Sequence, residues 1–297
     1  MQKIVETIPN FSVSEGEVLE NLISLCKSFE GVTLLDASSD ESHNRTVITL
    51  IGDIENIKRA SISLAKFAIE NIDLTKHKGE HPRMGAVDVI PFVPIRNVTM
   101  SECIELSKEV AEEVSKLGLP VFLYEESAVS VHGKSTNRNN LATLRKGEFE
   151  GMAEKLKGDK FKPDYGVELH KTAGIVAIGA RMPLVAFNAN LSTPNVDIAN
   201  KIAKVVRGSG GGLKHCKAIG IALNEETAQV SMNLTNYEKT PIYLALELIK
   251  VEASRYGVFV TGTELIGLAP MDSLIDSAVY YMQIENYSKE QVLEKRF

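Results

Sequence analysis

The sequence predicts an α/β protein with mixed sheets, organised as two α/β subdomains. Three observations carry that prediction. Short runs rich in Val, Ile, Leu and Thr alternate with longer amphipathic runs. The 297 residues make about two domains at roughly 150 residues each. In the second half the order strand, helix, strand pair, helix, strand is that of a split βαβ (ferredoxin-like) layer, more mixed than doubly wound.

The elements follow in order. Lys3 to Ile8, Val32 to Leu35, Thr46 to Ile51 and Pro120 to Tyr124 read as strands. Ser14 and Glu17 have the spacing of a capping box before Val18, Leu22, Leu25, Cys26 and Phe29, and Gly31 closes that helix. A helix from about Ile54 to Ile72 carries Ile57, Ala60, Leu64, Phe67 and Ala68 on one face. The clearest helix starts at Thr99, which with Glu102 makes a capping box. Its apolar face is Cys103, Leu106, Val110, Val114 and Leu117, and Gly118 and Pro120 stop it. From Gly151 to Tyr165 the pattern lapses into charge and turn residues, which reads as linker or loop. The expected domains are therefore 1–165 and 166–297. Gly174 to Gly179 and Leu184 to Ala189 read as buried strands restarting the second domain. Thr193 and Pro194 then open a helix with Ile198, Ile202 and Val205 inside. Ala218 to Leu223 and Ala228 to Leu234 form a strand pair. Pro241 opens a helix, Val258 to Thr261 is a strand, and Pro270 opens the last helix. No fixed-period repeat is visible.

Composition narrows the function. Cys26, Cys103 and Cys216 are odd in number, far apart and lack C-x-x-C spacing, which argues against a disulfide framework or a cysteine zinc site and fits a reducing, cytoplasmic setting. The start lacks the pattern of a signal peptide, and no window approaches the roughly 18 apolar residues of a membrane span. Six N-x-[ST] triplets, for example Asn44-Arg45-Thr46, are incidental in such a setting. A net charge of −6 gives no basic face for nucleic acid or anionic membrane, so a small-molecule partner is expected.

The reactive chemistry concentrates in residues 76–96, which hold two of the six histidines. His77-Lys-Gly-Glu80-His81 formally matches the H-x-x-E-H zinc pattern, but that pattern needs a helix. Gly79 weakens one and Pro82 pushes His81 out of the helical region, so no metal site is expected. A loop presenting His81 and Arg83 ahead of the strand Ala86 to Val93 is the better reading, with Asp88 interrupting that apolar run. Glu80 could orient the His81 ring, Arg83 could hold an anion, and an imidazole titrates in the range a general base needs. Arg207-Gly-Ser-Gly-Gly-Gly-Leu-Lys214 follows a helix and lacks phosphate-loop spacing, so it reads as a flexible loop. With Lys217 nearby it could alternatively meet an anionic tail. His43, His132, His170 and His215 read as structural or surface residues.

Val5-Glu-Thr-Ile-Pro-Asn-Phe-Ser12, Asn44-Arg-Thr46 and His77-Lys-Gly-Glu-His-Pro-Arg-Met-Gly-Ala86 together resemble the glutamate formimidoyltransferase family. The resemblance continues, in order, through Lys162-Pro-Asp-Tyr-Gly166, Gly179-Ala-Arg181, Ala186-Phe-Asn-Ala-Asn190, Ala228-Gln-Val-Ser-Met-Asn233 and Leu265-Ile-Gly-Leu-Ala-Pro270. It implies transfer of the formimino group from N-formimino-L-glutamate to tetrahydrofolate, the co-substrate, in histidine breakdown. It also implies a folate site between two α/β subdomains, and a homodimer. The chain ends near the finish of the transferase segment, so a form without the cyclodeaminase part is expected.

In family terms His81 matches the proposed general base. Both substrates carry glutamate carboxylates, so arginine forks are expected around them. Arg181 is the first choice, which the resemblance places in the ligand cleft; the alternative is a structural salt bridge. Arg45 and Arg83 are weaker candidates, each equally a surface charge or a bridge to Glu41 or Glu80. Asp164, Tyr165 and Gly166 correspond to a folate-binding segment, where the tyrosine can stack on a ring. Asn188 and Asn190 would project from one strand face toward the pterin edge, or simply satisfy backbone. Animal members carry an acid where this chain has Ser38, two positions after Asp36, so Asp40 stands as a substitute only if the loop is rearranged. Two rival readings remain, a relative using N-formylglutamate as donor and a noncatalytic folate-binding protein.

Overall fold

The structure, a computed structural model, describes residues 2–133, 140–158 and 161–296. The first strand is broken at Ile8-Pro9 into β1 (Ile4–Thr7) and β2 (Asn10–Phe11), because proline cannot donate to a ladder. After α1 (Gly16–Ser28) come β3 (Val32–Asp40), β4 (Arg45–Gly52) and α2 (Ile54–Asn71). β5 (Val87–Arg96) and α3 (Met100–Lys116) follow, then β6 (Val121–Leu123) and α4 (Glu125–His132). Two short helices, α5 (Leu141–Arg145) and α6 (Glu148–Lys155), lead to β7 (Val176–Ala180). Among the described residues these strands form one sheet. β1 and β2 both lie between β4 and β5, β3 pairs with β4 on one side, and β7 then β6 extend the other side in parallel.

Alternation gives this sheet two different faces. Ile48, Leu50, Ile90, Phe92, Val176 and Ile178 meet Leu22, Ile57, Leu64, Leu106 and Val110 of α1, α2 and α3 in the main core. Val89, Phe122, Tyr124 and Ala177 point the other way and pack with Leu144 of α5 and Met152 of α6.

The chain divides into two compact units, Met1–Arg181 and Met182–Phe297. The expected break at 165/166 falls inside the first unit. β7, read from sequence as the start of the second domain, hydrogen-bonds in parallel to β5 and β6 and belongs to the first sheet. The supposed linker after Gly151 begins inside α6. Of its charged stretch, Asp159 and Lys160 lie outside the described residues.

The second unit runs β8 (Val185–Leu191), α7 (Val196–Val206), β9 (Cys216–Ala222), β10 (Ala228–Leu234), α8 (Ile242–Ser254), β11 (Val260–Ile266) and α9 (Met271–Met282). Its antiparallel sheet has the order β11-β8-β10-β9. Val185, Phe187, Ala189 and Leu191 of β8 face Ile202 of α7 and Ile249 of α8. The strand, helix, strand pair, helix, strand order read from the sequence is the order found. Residues 4–96 follow the same path, with the corresponding sheet order β5-β1-β4-β3 and the same antiparallel pairings. The two units thus repeat one topology without a sequence period.

The helix-start signals in the sequence form unevenly. The box at Thr99 forms in full, Glu102 N–H donating to the threonine hydroxyl at 3.2 Å and Thr99 N–H to the glutamate at 2.8 Å. The box expected at Ser14 does not form. The Ser14 hydroxyl instead donates to Asn44 at 3.1 Å, and α1 starts without a side-chain cap. α7 starts after Asn195, whose side chain accepts from Asp197 N–H at 2.9 Å, two residues beyond the expected Thr193. No described helix is long and apolar enough to cross a membrane.

Candidate active site

The loop 72–86 carries His81 and is fixed at both ends. His77 Nε2 meets the Asn44 carbonyl at 2.9 Å, Asn44 Nδ2 donates to the Lys78 carbonyl at 2.9 Å, and Glu80 N–H donates to the Ser42 carbonyl at 3.1 Å. Gly79 makes this approach possible, since a Cβ there would stand 2.6 Å from the His43 carbonyl oxygen. Around Pro82 the chain turns sharply, with Arg83 N–H bonded to the His81 carbonyl at 2.8 Å. At the far end Ser12 Oγ donates to the Gly85 carbonyl at 2.8 Å, and a Cβ on Gly85 would meet the Ile175 carbonyl oxygen at 2.3 Å.

Asp88 reaches His81 because β5 contains a bulge. Its pairing with β2 steps from Asn10↔Val89 to Phe11↔Val87, so one residue advances on β2 while two advance on β5. Asp88 is the extra residue. Strict alternation would turn it with Ile90 and Phe92 into the apolar core; the bulge turns it to the other face, where Arg145 at the end of α5 donates Nε to Asp88 Oδ2 at 2.6 Å. A second guanidinium nitrogen, Nη2, pairs with the same oxygen, and Met84 N–H donates to Oδ1 at 2.7 Å. Burial pushes the Asp88 carboxyl up, yet the Arg145 charge and these hydrogen bonds hold it below the usual carboxylate range. Asp88 is 1% exposed and stays ionised.

The His81 side chain is 5% exposed, and its Nε2 lies 3.7 Å from Asp88 Oδ2. That is ion-pair range but too long for a hydrogen bond, and the buried Nε2 has no hydrogen-bond partner. Arg45 enters the same face from β4, opposite Asp40 of β3. Burial and the charge of Arg145 lower its pKa, Asp40 and Asp88 oppose this, and its buried Nε is also without a hydrogen-bond partner. His81, Asp88, Arg145 and Arg45 thus form one cluster, and two of its four members hold unsatisfied buried donors or acceptors.

The other expected site residues lie elsewhere. Arg83 is buried and engaged: Nη1 reaches Glu148 and Glu150 at 3.0 Å each, Nη2 reaches Glu150 at 2.6 Å, and Nε donates to His77 Nδ1 at 3.1 Å. It latches the loop to α6 rather than bridging Glu80, which is exposed and does not orient His81; Asp88 is the carboxylate beside that ring. Asp40 is bound within its own turn, accepting from Ser42 Oγ at 2.7 Å and His43 N–H at 3.1 Å, which pull its carboxyl down to about 2. Arg181 N–H bonds the Phe92 carbonyl at 3.0 Å, roughly 13 Å along β5 from Asp88 at 3.3 Å per residue. Its guanidinium hydrogen-bonds the Tyr124 hydroxyl, and its charge is felt by the Glu6 carboxylate. Burial drives the phenol up to about 12 and raises Glu6, with Arg181 opposing both. Gly179 lets Tyr124 lie against β7, since a Cβ would stand 2.3 Å from the Tyr124 carbonyl oxygen.

Asp164 accepts from Leu123 N–H at 2.8 Å and pairs with His132, while Tyr165 packs against the main core. Gly166 has φ of +75°, and a Cβ there would touch Pro120 at 3.0 Å. In the second unit Asn188 and Asn190 do project from one face of β8, opposite Phe187 and Ala189. Gln229 Nε2 bridges Asn190 Oδ1 at 2.7 Å and Glu264 Oε2 at 2.9 Å. Sequence reading missed Arg145, Tyr124, Gln229 and Glu264. Only Asp88, a charge inside an apolar run, hinted that a partner such as Arg145 existed. His77 has both ring nitrogens engaged and lies in a loop, so the helical geometry of the zinc pattern does not occur there. Among the described residues no three His, Cys, Asp or Glu side chains are grouped to hold a metal ion.

A histidine beside an ionised carboxylate, with arginines on the same sheet face, has the make-up of an acid–base site for an anionic small molecule. Residues 4–181 match the formiminotransferase domain, N-terminal subdomain, and residues 186–296 match the formiminotransferase domain. The chain belongs to the formiminotransferase family. It is 58% identical over 299 residues to the glutamate formimidoyltransferase of Streptococcus pyogenes serotype M1, across 99% of this chain and 98% of that one. The glutamate formimidoyltransferase of Thermoplasma acidophilum is 42% identical, across 99% and 97%. The formimidoyltransferase-cyclodeaminase of Dictyostelium discoideum is 42% identical across 96% of this chain but 54% of its own length.

Proposed function

We propose that this protein is a glutamate formimidoyltransferase, moving the formimino group of N-formimino-L-glutamate to tetrahydrofolate, with His81 as general base. The observation that carries the role of His81 is its buried ring, held within ion-pair range of an ionised Asp88. N5 of the folate attacks the amidine carbon, forming a C–N bond and a tetrahedral intermediate. His81 takes the N5 proton and delivers it to the departing glutamate nitrogen as the old C–N bond breaks. The products are 5-formiminotetrahydrofolate and L-glutamate, and no external oxidant or reductant is needed.

Arg45 is the candidate for a glutamate carboxylate near the reacting centre, supported by its unsatisfied buried Nε. Arg181 is the candidate for a second carboxylate further along the sheet. Tyr165 offers a ring to stack on, Asp164 and Gly166 shape that segment, and Asn188 and Asn190 offer amides to the pterin edge. Arg83 and Asp40 act on the loop rather than on substrate. Three free, buried cysteines agree with a reducing, cytoplasmic setting. Exposed apolar residues on α8 and α9, such as Val251 and Met282, agree with a homodimer, which sedimentation of the purified chain tests.

The activity is tested by giving the purified protein tetrahydrofolate with N-formimino-L-glutamate or N-formyl-L-glutamate and weighing the folate product. A formimino product is expected. Product from the formyl donor alone moves the assignment to a formyltransferase, and binding without product moves it to a noncatalytic folate protein. Replacing His81 by alanine is expected to cut turnover at least 10²-fold, roughly the worth of a general base, with tetrahydrofolate binding retained.

A further inference from the structure

Resting on His81 as the base, we infer that Asp88 is the positioning residue for its ring and that Arg145 holds that carboxylate in place. The bulge is the first ground. It leaves one strand residue unpaired and turns Asp88 out of the apolar core toward the histidine loop. The bond set is the second. Met84 N–H fixes Oδ1 from the same loop, and Arg145 fixes Oδ2 from α5, so the oxygen nearest His81 cannot rotate away. α5 is itself held, because Lys155 of α6 donates to the carbonyls of Thr143 at 2.7 Å and Leu144 at 2.5 Å.

A fixed carboxylate beside Nε2 favours the tautomer with the proton on that nitrogen. The other ring nitrogen then holds the lone pair that accepts the folate proton. Once the ring is protonated, the same carboxylate stabilises the imidazolium. Arg145 moderates this, since an unpaired buried carboxylate would hold the proton too firmly to release it to the leaving amine. The charged and titratable groups around the ring are Asp88 from β5, Arg145 from α5, Arg45 from β4 with Asp40 across the hairpin, and His77 from the same loop. Of these, Asp88 is the anion in ion-pair range of the ring.

The test uses the full chain and four variants, Asp88→Asn, Asp88→Glu, Arg145→Met and His81→Ala, measuring kcat, KM, Tm and the pH profile of kcat/KM. Asp88→Asn is expected to lower kcat roughly 10²-fold with KM within about threefold, and to move the acid limb of the profile to lower pH, as loss of an orienting anion does. Asp88→Glu should recover part of kcat, and Arg145→Met should move the acid limb to higher pH. A merely structural Asp88 would lower Tm but leave the kcat per folded molecule and the profile unchanged, and that result overturns the inference. If Asp88→Asn does not fold, an unmoved acid limb in Arg145→Met overturns it instead. If His81→Ala turns over normally, the base assignment itself fails, which separates the two claims.

Discussion

Residues 4–96 and 185–266 trace the same β-α-β-β-α-β path, yet they hold opposite kinds of polar chemistry. In the second unit the last strand, β11, ends its sheet as an edge, and its Glu264 is half-exposed and bonded to the neutral amides of Asn190 and Gln229. In residues 4–96 the last strand of the path, β5, is continued by β7 and β6 and partly covered by α5 and α6, so its Asp88 is buried and paired with an arginine. Two added strands turn an edge into an interior. A carboxylate there is desolvated, and its neighbours, rather than water, then govern proton transfer. The amide face carries neutral hydrogen-bonding groups around one carboxylate; the charged face holds a buried carboxylate between an arginine and a histidine.

Both last strands also carry an irregularity, and glycine substitutions sharpen the comparison. Gly85→Ala forces a Cβ to 2.3 Å from the Ile175 carbonyl oxygen beside the Asp88 bulge, and should cost about 2–4 kcal/mol and most of the activity. Gly262, at the β11 irregularity, has open space around it, so Gly262→Ala should change stability by no more than about 0.5 kcal/mol. Thermal melts of the pair check this; equal effects would show that the β5 bulge is not specially constrained. Next in size is Arg83→Met, which leaves His77, Glu148 and Glu150 without their shared partner. A loss of about 1–2 kcal/mol is expected, kept small because both carboxylates are solvated, together with a raised KM from a looser loop.

The smallest expected effect is Asp40→Asn. Hydrogen bonds from Ser42 and His43 lower this carboxyl from 3.8 to about 2 in the folded chain. The folded state therefore binds its proton less readily than the unfolded one, so the contribution is present above pH 3.8 and lost as pH falls through about 2. Wild type and variant should differ slightly in Tm near neutral pH and converge in acid. A gap that widens in acid would reverse the sign.

Much of this architecture was legible before the structure. Local rules located α3 from Thr99 and Glu102, α8 and α9 from their prolines, and β10 to the residue, because these signals act within one turn or one strand. His81 stood out for the same reason, with Gly79 and Pro82 marking a loop. Long-range choices were not legible. Arg145 lies 57 residues from Asp88 and sits at the end of a five-residue helix with too little periodicity to announce itself. The bulge is set by the pairing of two strands, which neither strand's pattern contains. β7 looked like the start of a new domain because a buried parallel strand reads alike in either sheet. Ser14 had a capping partner at the right spacing, but α1 starts with Glu15 in the cap position, and the Ser14 hydroxyl donates to Asn44, 30 residues away.

The proposed role of His81, on the charged face of the first unit, is to carry the proton of formimino transfer. The most direct test is turnover of His81→Ala with tetrahydrofolate and N-formimino-L-glutamate, without and with added imidazole across a pH series. Turnover reduced at least roughly 10²-fold, and partly restored in proportion to the neutral imidazole present, is the predicted result. Near-normal turnover without imidazole would contradict the account.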